Sequence, residues 1–442
     1  MSPDPTPTAH QPVGDRPVPK YKIATWALWD WGSAAFNAVI VTFVFAPYVA
    51  SSVAPADGPI SGSEYIARAM AVTGLVVALI APLMGQRSDA RGTRRRSVAI
   101  WSGLTWLSMA ALYLVEDTPD HLLLALVLLG VGNLFFELAE VNYFAMIGQI
   151  STPENVGRIS GIGWAAGYFG GIVLLALLYF GLIAPDVGWF GVTSVDGQRY
   201  RMVALLAAGW FAIFGLPLLL TIERNTPPAG ARALGLLDSY RKLFADLRRL
   251  WRSDRRAVWF LLAAAIYRDG LASVFTLGAV LAVSIYGLSE ADVLIFGIVA
   301  NVVAGVAALA GGWIEDRVGT KRVILIALGI LVASATVLLF AAGPTMFWIF
   351  GLILCISVGP AQASSRSYLA QIAPRSAEGE MFGLYATSGR AVSLLGPGLF
   401  ALIAAIASER FGILGIILLL VVGAAILWRL PNRPEETPAI AD

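Results

Sequence analysis

Among the ionisable side chains inside long apolar stretches of the chain, seven are candidates for chemistry: Asp30, Glu137, Glu140, Arg268, Asp269, Arg366 and Arg390. A charge near the middle of a membrane-spanning helix costs ~2.5–3.5 kcal/mol. Such groups are retained where they meet a partner, a cavity or a ligand. Glu137 and Glu140 are three residues apart and share one helix face. That pair suits a proton carrier, or two structural ion pairs to Arg366 or Arg390. Asp30 and Asp269 each begin a D-x5-F pattern, ending at Phe36 and Phe275. The shared pattern predicts related positions facing a central path, with a structural hydrogen bond to backbone as the alternative. Arg268 points ~100° away from Asp269 on a helix, available to a solute carboxylate or packed against another acid. Asn142, Gln362 and Ser364 add hydrogen-bonding groups for a solute or a neighbouring helix.

Other chemistry is excluded early. Cys355 is the single cysteine, and only His10 and His121 carry imidazole. No intrachain disulfide or multi-cysteine metal site is possible, and a histidine-based metal site is not expected. Phosphate loops, nucleophile elbows and metal-ligand spacings are absent from the sequence, so neither an enzyme nor a cofactor is expected. Without a nucleotide-binding motif, a self-powered pump is excluded too.

The elements that must position these residues follow from composition. Of 442 residues, 57% are hydrophobic and 14% charged, against ~25% charged in soluble domains. Apolar stretches of about 20 residues, enough to span a bilayer, fall at 24–50, 65–86, 97–115, 121–147, 158–183 and 202–222. They resume at 257–283, 291–314, 323–342, 345–370, 381–406 and 410–429. The expected fold is an all-α membrane protein of twelve transmembrane helices in two pseudo-symmetric six-helix halves. The expected division is a disordered tail over 1–23, a half over 24–222, a basic linker over 223–256, a half over 257–430 and a tail over 431–442. Placing both termini inside puts 24 of the 31 Lys and Arg in inner segments and three in outer loops. The positive-inside rule therefore makes both termini cytoplasmic. In the linker, Leu236, Leu237, Tyr240, Leu243, Phe244, Leu247 and Trp251 oppose Arg241, Lys242, Arg248, Arg249 and Arg252. That pattern fits a basic amphipathic helix on an anionic leaflet, or a solvated linker with one buried stripe; nucleic acid is not an expected partner.

The second half repeats the first. Gly85, Asp89, Gly92, Arg94 and Arg95 follow the second span; Gly312, Asp316, Gly319, Lys321 and Arg322 follow the eighth, each shifted by 227. Gly157, Gly161 and Gly167 match Gly379, Gly383 and Gly389. An aspartate beside arginines pairs with them or with the positive end of a neighbouring helix. A plain positive-inside anchor would explain the arginines but not the aspartates.

These loops resemble the signature of the major facilitator superfamily, in which they latch the inner ends of the two halves. Three further stretches resemble its vacuole-effluxer branch, which includes autophagy-related vacuolar amino-acid exporters. They are Trp26 to Phe36, Tyr267-Arg268-Asp269-Gly270, and Gln362 to Ser367 with Phe382-Gly383-Leu384-Tyr385 and Leu395-Gly396-Pro397. The resemblance implies a monomeric secondary transporter that exports amino acids or related metabolites by alternating access, with proton coupling open. The expected setting is a bacterial inner membrane, on the predominance of Arg over Lys beside abundant Ala, Gly and Val, with lipid and a small solute as partners. Export of drug-like or lipidic compounds is the alternative, and a non-transporting receptor or assembly factor the alternative of another class.

Overall fold

The computed structural model describes residues 18–55, 59–222, 240, 241, 245, 248, 250–252, 255–373 and 377–430. No strand occurs among the described residues, and twelve helices are long and apolar enough to cross a membrane. The first six are α1 Lys20–Val53, α2 Gly62–Arg91, α3 Arg94–Leu114, α4 Pro119–Ile150, α5 Val156–Ile183 and α6 Val195–Thr221. The second six are α7 Arg255–Ser284, α8 Glu290–Val318, α9 Thr320–Phe340, α10 Pro344–Ile372, α11 Glu378–Ile406 and α12 Arg410–Trp428. The six-plus-six reading therefore holds. The tail over 1–17, the tail over 431–442 and most of the 223–256 linker lie outside the described residues. The amphipathic pattern of the linker cannot be placed, because Leu236, Leu237, Leu243, Phe244 and Leu247 are among them.

Local chemistry sets the helix ends. Ser61 accepts the Glu64 N–H and starts α2, and Ser289 forms a capping box with Asp292 at the start of α8. At the opposite ends of α2 and α8, Gly92 (φ 62°) and Gly319 (φ 92°) turn the chain through a conformation glycine adopts without strain. These two glycines are equivalents in the repeat. Several helices are composite, α1 and α11 among them. In α1 the backbone widens to a π-helix over Ala35–Phe43, and α11 breaks between Glu378–Val392 and Leu395–Ile406.

The core of the first half is aromatic. Trp29 stacks on Tyr143 at 4.0 Å, Trp26 on Tyr143 at 4.8 Å and Phe36 on Phe136 at 4.8 Å. Trp29 donates its indole N–H to Ser102, meeting the need of a buried Trp for a partner. Leu75, Leu107, Phe340 and Ile406 stand exposed on the outside of the bundle, as an apolar solvent allows. The two halves meet mainly along α2 against α11 and α5 against α8.

Candidate functional site

The matching loops close one end of the bundle, called here the basic end. Asp89 ion-pairs with Arg94 (2.6 Å) and accepts the Glu380 N–H at the start of α11 (3.1 Å). Arg94 continues to Glu378 (2.8 Å) and to the Ala145 carbonyl (3.0 Å), and Gln86 donates to Glu380. In the other half, Asp316 accepts the Arg158 N–H at the start of α5 (3.1 Å) and pairs with its guanidinium (3.5 Å). Each aspartate thus sits on the positive N-terminal end of a helix from the opposite half. Gly85 and Gly312 permit the contact. A Cβ on Gly85 would overlap the Gly379 carbonyl, and one on Gly312 would stand 2.6 Å from the Gly157 carbonyl. Lys321 departs from the expected latch. Its ammonium bonds the Trp428 carbonyl (2.8 Å) and the Leu430 carbonyl at the end of α12, within its own half, a cation on the negative end of a helix. Pro82 adds a further link: lacking an N–H, it frees the Ala78 carbonyl, which accepts the Thr387 hydroxyl across the interface (2.9 Å).

One level deeper, Arg366 of α10 forms a floor between the halves. It is 2% exposed, pairs with Asp30 of α1 (3.2 Å), and bonds the Ser160 hydroxyl (3.0 Å) and carbonyl (2.7 Å) of α5. Its guanidinium lies over Trp26 (4.7 Å), Phe144 (4.9 Å) and Trp164 (5.9 Å). Charge, hydrogen bonds and ring faces together compensate the burial of an arginine.

The polar centre lies beside this floor. Arg390 of α11 pairs with Glu137 of α4, again across the halves. Glu140, one turn from Glu137, is half-buried and has no ion pair or hydrogen bond among the described residues, although Asp30, Arg268 and Arg366 act on it electrostatically. Arg268 stacks on Tyr385 at 4.0 Å, and its buried Nη1 has no acceptor. Gln362 stands one turn from Arg366 on the same face of α10, half-buried and without a hydrogen bond among the described residues. Arg268 and Glu140 are therefore opposite charges, from α7 and α4, neither engaged by an ion pair among the described residues.

The structure separates three residues from this group. Asp269 does not mirror Asp30: its carboxylate accepts the Gly396 N–H (2.6 Å) where α11 resumes after its break. Asp30 lies 10 residues into α1 and Asp269 14 residues into α7, a difference of ~6 Å along the axis. Asn142 is buried within α4, donating to the Leu138 carbonyl of its own helix. Ser364 bonds Glu315 (2.6 Å). Conversely, sequence reasoning missed Ser160, Glu315, Glu378 and Glu380. The acidic pair at 378 and 380, opening a span opposite the arginine-rich loop, was the available signal.

Comparison with known proteins agrees with this architecture. An uncharacterized MFS-type transporter, YxiO of Bacillus subtilis, is 25% identical over 417 residues, covering 93% of this chain and 95% of that protein. Autophagy-related protein 22 of Cryptococcus neoformans var. neoformans is 23% identical over 308 residues, covering 64% of this chain and 54% of that protein. The structure of the proton:xylose symporter XylE has the same fold, with a TM-score of 0.73 at 15% identity, covering 93% of this chain and 96% of that one. Two six-helix halves joined by matching loops, with the extent of the match to an MFS-type transporter, describe an integral multi-pass transporter rather than an enzyme. The family model described as "Vacuole effluxer Atg22 like" matches residues 59–436, and the chain belongs to that branch of the major facilitator superfamily.

Proposed function

We propose that the protein exports amino acids or closely related zwitterionic metabolites by alternating access through the interface between its halves. The observation that carries this reading is the pair Arg268 and Glu140: opposite charges in the polar centre, neither with an ion pair. Arg268 would take the solute carboxylate and Glu140 its ammonium group, with Gln362 as a further hydrogen-bonding group. A solute carrying both charges satisfies two groups that are otherwise expensive at this depth. Asp30, Arg366 and the Glu137–Arg390 pair would act as gates, because each joins the halves and must part when the basic end opens. The family's description as effluxers supports the outward direction. Proton coupling would run through Glu140.

The basic end is read as cytoplasmic, on the distribution of Lys and Arg, and the membrane as a bacterial cytoplasmic membrane, on the extent of the Bacillus relative's match. One chain supplies both halves of the path, so a monomer suffices. Counterflow in proteoliposomes with a panel of radiolabelled amino acids, with and without a pH gradient, tests the proposal. Saturable exchange of one or more zwitterions, with a KM raised in Arg268→Gln, is expected. Exchange of none of the panel, or of monovalent amines and carboxylates equally well, would overturn it.

A further inference from the structure

A cavity of about 150 Å³ opens beside the latch, between α2 and α3. Its lining includes Met84, Arg87 and Arg91 of α2 and Ser97, Ile100 and Trp101 of α3. We propose that this cavity binds the headgroup of an anionic phospholipid from the leaflet at the basic end, with the lipid phosphate against Arg87 and Arg91.

The lining is layered as a lipid is. Helix α2 runs toward the basic end and α3 away from it, so Met84 is level with Ile100 and Trp101, and Arg91 is level with the turn. From Met84 to Arg91 the rise is ~10 Å. Apolar side chains therefore sit at acyl-chain depth, and a guanidinium pair with hydroxyls sits at phosphate depth. Arg87 and Arg91 are four residues apart on one face, and Thr93 adds a hydroxyl at the rim. Ile100 is 46% exposed, leaving the apolar wall open sideways to the bilayer. A freely dissolved phosphate would have no use for that wall. A cavity of about 150 Å³ admits a group the size of benzene, enough for a phosphate and its ester oxygens.

The repeat supplies an independent contrast. The positions equivalent to Arg87 and Arg91 in the second half are Ile314 and Val318, and that equivalent to Ser88 is Glu315. The basic pair belongs to one half alone, so it is not a requirement of the loop signature. The cavity also adjoins the latch, because the Thr93 N–H bonds the Ser88 carbonyl and the Gly92 N–H bonds the Asp89 carbonyl. A headgroup there would brace the turn that presents Asp89 to α11. Basic sites on the inner face of membrane proteins hold anionic headgroups by this chemistry.

Native mass spectrometry of the purified full-length protein tests the site without knowledge of the transported solute. Wild type offered equal phosphatidylglycerol and phosphatidylcholine should retain phosphatidylglycerol preferentially. Arg87→Gln with Arg91→Gln should reduce that retention about tenfold. Arg317→Gln with Arg322→Gln, an equal loss of charge from exposed positions of the matching loop, should leave it unchanged. Should the first double variant fold poorly by thermal unfolding, Arg91→Gln alone, at an exposed position, should still lower retention severalfold. Equal loss in both double variants would show surface charge only and overturn the site. Equal retention of phosphatidylcholine, or displacement of lipid by millimolar inorganic phosphate or glycerol 3-phosphate, would overturn the lipid assignment.

Discussion

Asp89 and Asp316 are equivalents in the repeat, and each accepts a backbone N–H from the opening turn of a helix in the opposite half, Glu380 for one and Arg158 for the other, both at 3.1 Å. Their surroundings differ. Asp89 and its partner Arg94 are 4% and 2% exposed, whereas the Arg158 guanidinium beside Asp316 is 52% exposed. A buried charge that loses its partner is costly, while an exposed pair contributes ~0–1 kcal/mol.

The two latches should therefore respond unequally to neutralisation. Asp89→Asn keeps an acceptor for the α11 N–H but leaves Arg94 with less compensation. It should shift the balance toward opening at the basic end by about 5–150-fold, the range of a ~1–3 kcal/mol coupling. Asp316→Asn should shift it less than about fivefold. Reactivity of single engineered cysteines at the two ends, in a Cys355→Ala background, measures both. Equal shifts would contradict the asymmetry seen in burial.

Close helix approach gives a second expectation. An alanine methyl at position 85 cannot coexist with the Gly379 carbonyl in its present place, so Gly85→Ala should force α2 and α11 apart and favour opening at the basic end. Gly103, with nothing within 4 Å of its Cβ direction, is the control. Gly103→Ala should be neutral or stabilise by up to ~1 kcal/mol. Thermal unfolding with the same cysteine reporters separates the cases, and an unmoved equilibrium in Gly85→Ala would mean the interface has slack.

Much of this architecture was legible because its signals are local. Span positions follow from runs of apolar residues, and Gly92 and Gly319 announce their turns within an eleven-residue motif. The floor was not legible. Arg366 finds Asp30 across 336 positions and Ser160 across 206, and no local pattern pairs residues at such separation. The repeat misled for Asp269, because a shared D-x5-F pattern fixes neither depth nor the face a residue presents. Glu137 and Glu140 share a face, as spacing required, yet only the fold shows that Arg390 takes the first and leaves the second without a pair.

Topology offers a direct check on orientation. A reporter inserted at residue 230 should read cytoplasmic, and one in 186–198 should read external, since 24 of 31 basic residues lie on the first side. Reversed labelling would place the basic end on the outer face and overturn that orientation.

The floor pair predicts a particular non-additivity. Asp30→Asn or Arg366→Gln alone removes one partner of a mostly buried ion pair, a loss of ~3–5 kcal/mol. The combined variant removes both charges and should be less destabilised than the sum by ~0.5–3 kcal/mol. A double-mutant cycle on unfolding in detergent or lipid reads this out. Strict additivity would mean that Ser160 and the surrounding rings, rather than Asp30, hold Arg366.

Arg268 and Asp269 are consecutive, yet they meet different groups, and their variants should differ in kind. Arg268 meets a ring face and has a buried N–H without an acceptor, so Arg268→Gln should fold normally. If Arg268 holds the solute carboxylate, losing a charge-assisted hydrogen bond of ~1.5–3 kcal/mol should raise the KM about 10–150-fold. Asp269 instead ties the resumed part of α11 to α7 through the Gly396 N–H. Asp269→Asn retains an acceptor and should cost ~0.5–1.5 kcal/mol, with KM near wild type. Asp269→Ala leaves the N–H unsatisfied and should cost ~1–3 kcal/mol of stability, read as a lowered Tm, still without a selective change in KM. Flux measured against solute concentration beside thermal unfolding distinguishes the two patterns. A raised KM in Asp269→Asn with unchanged Tm would return that carboxylate to the solute path.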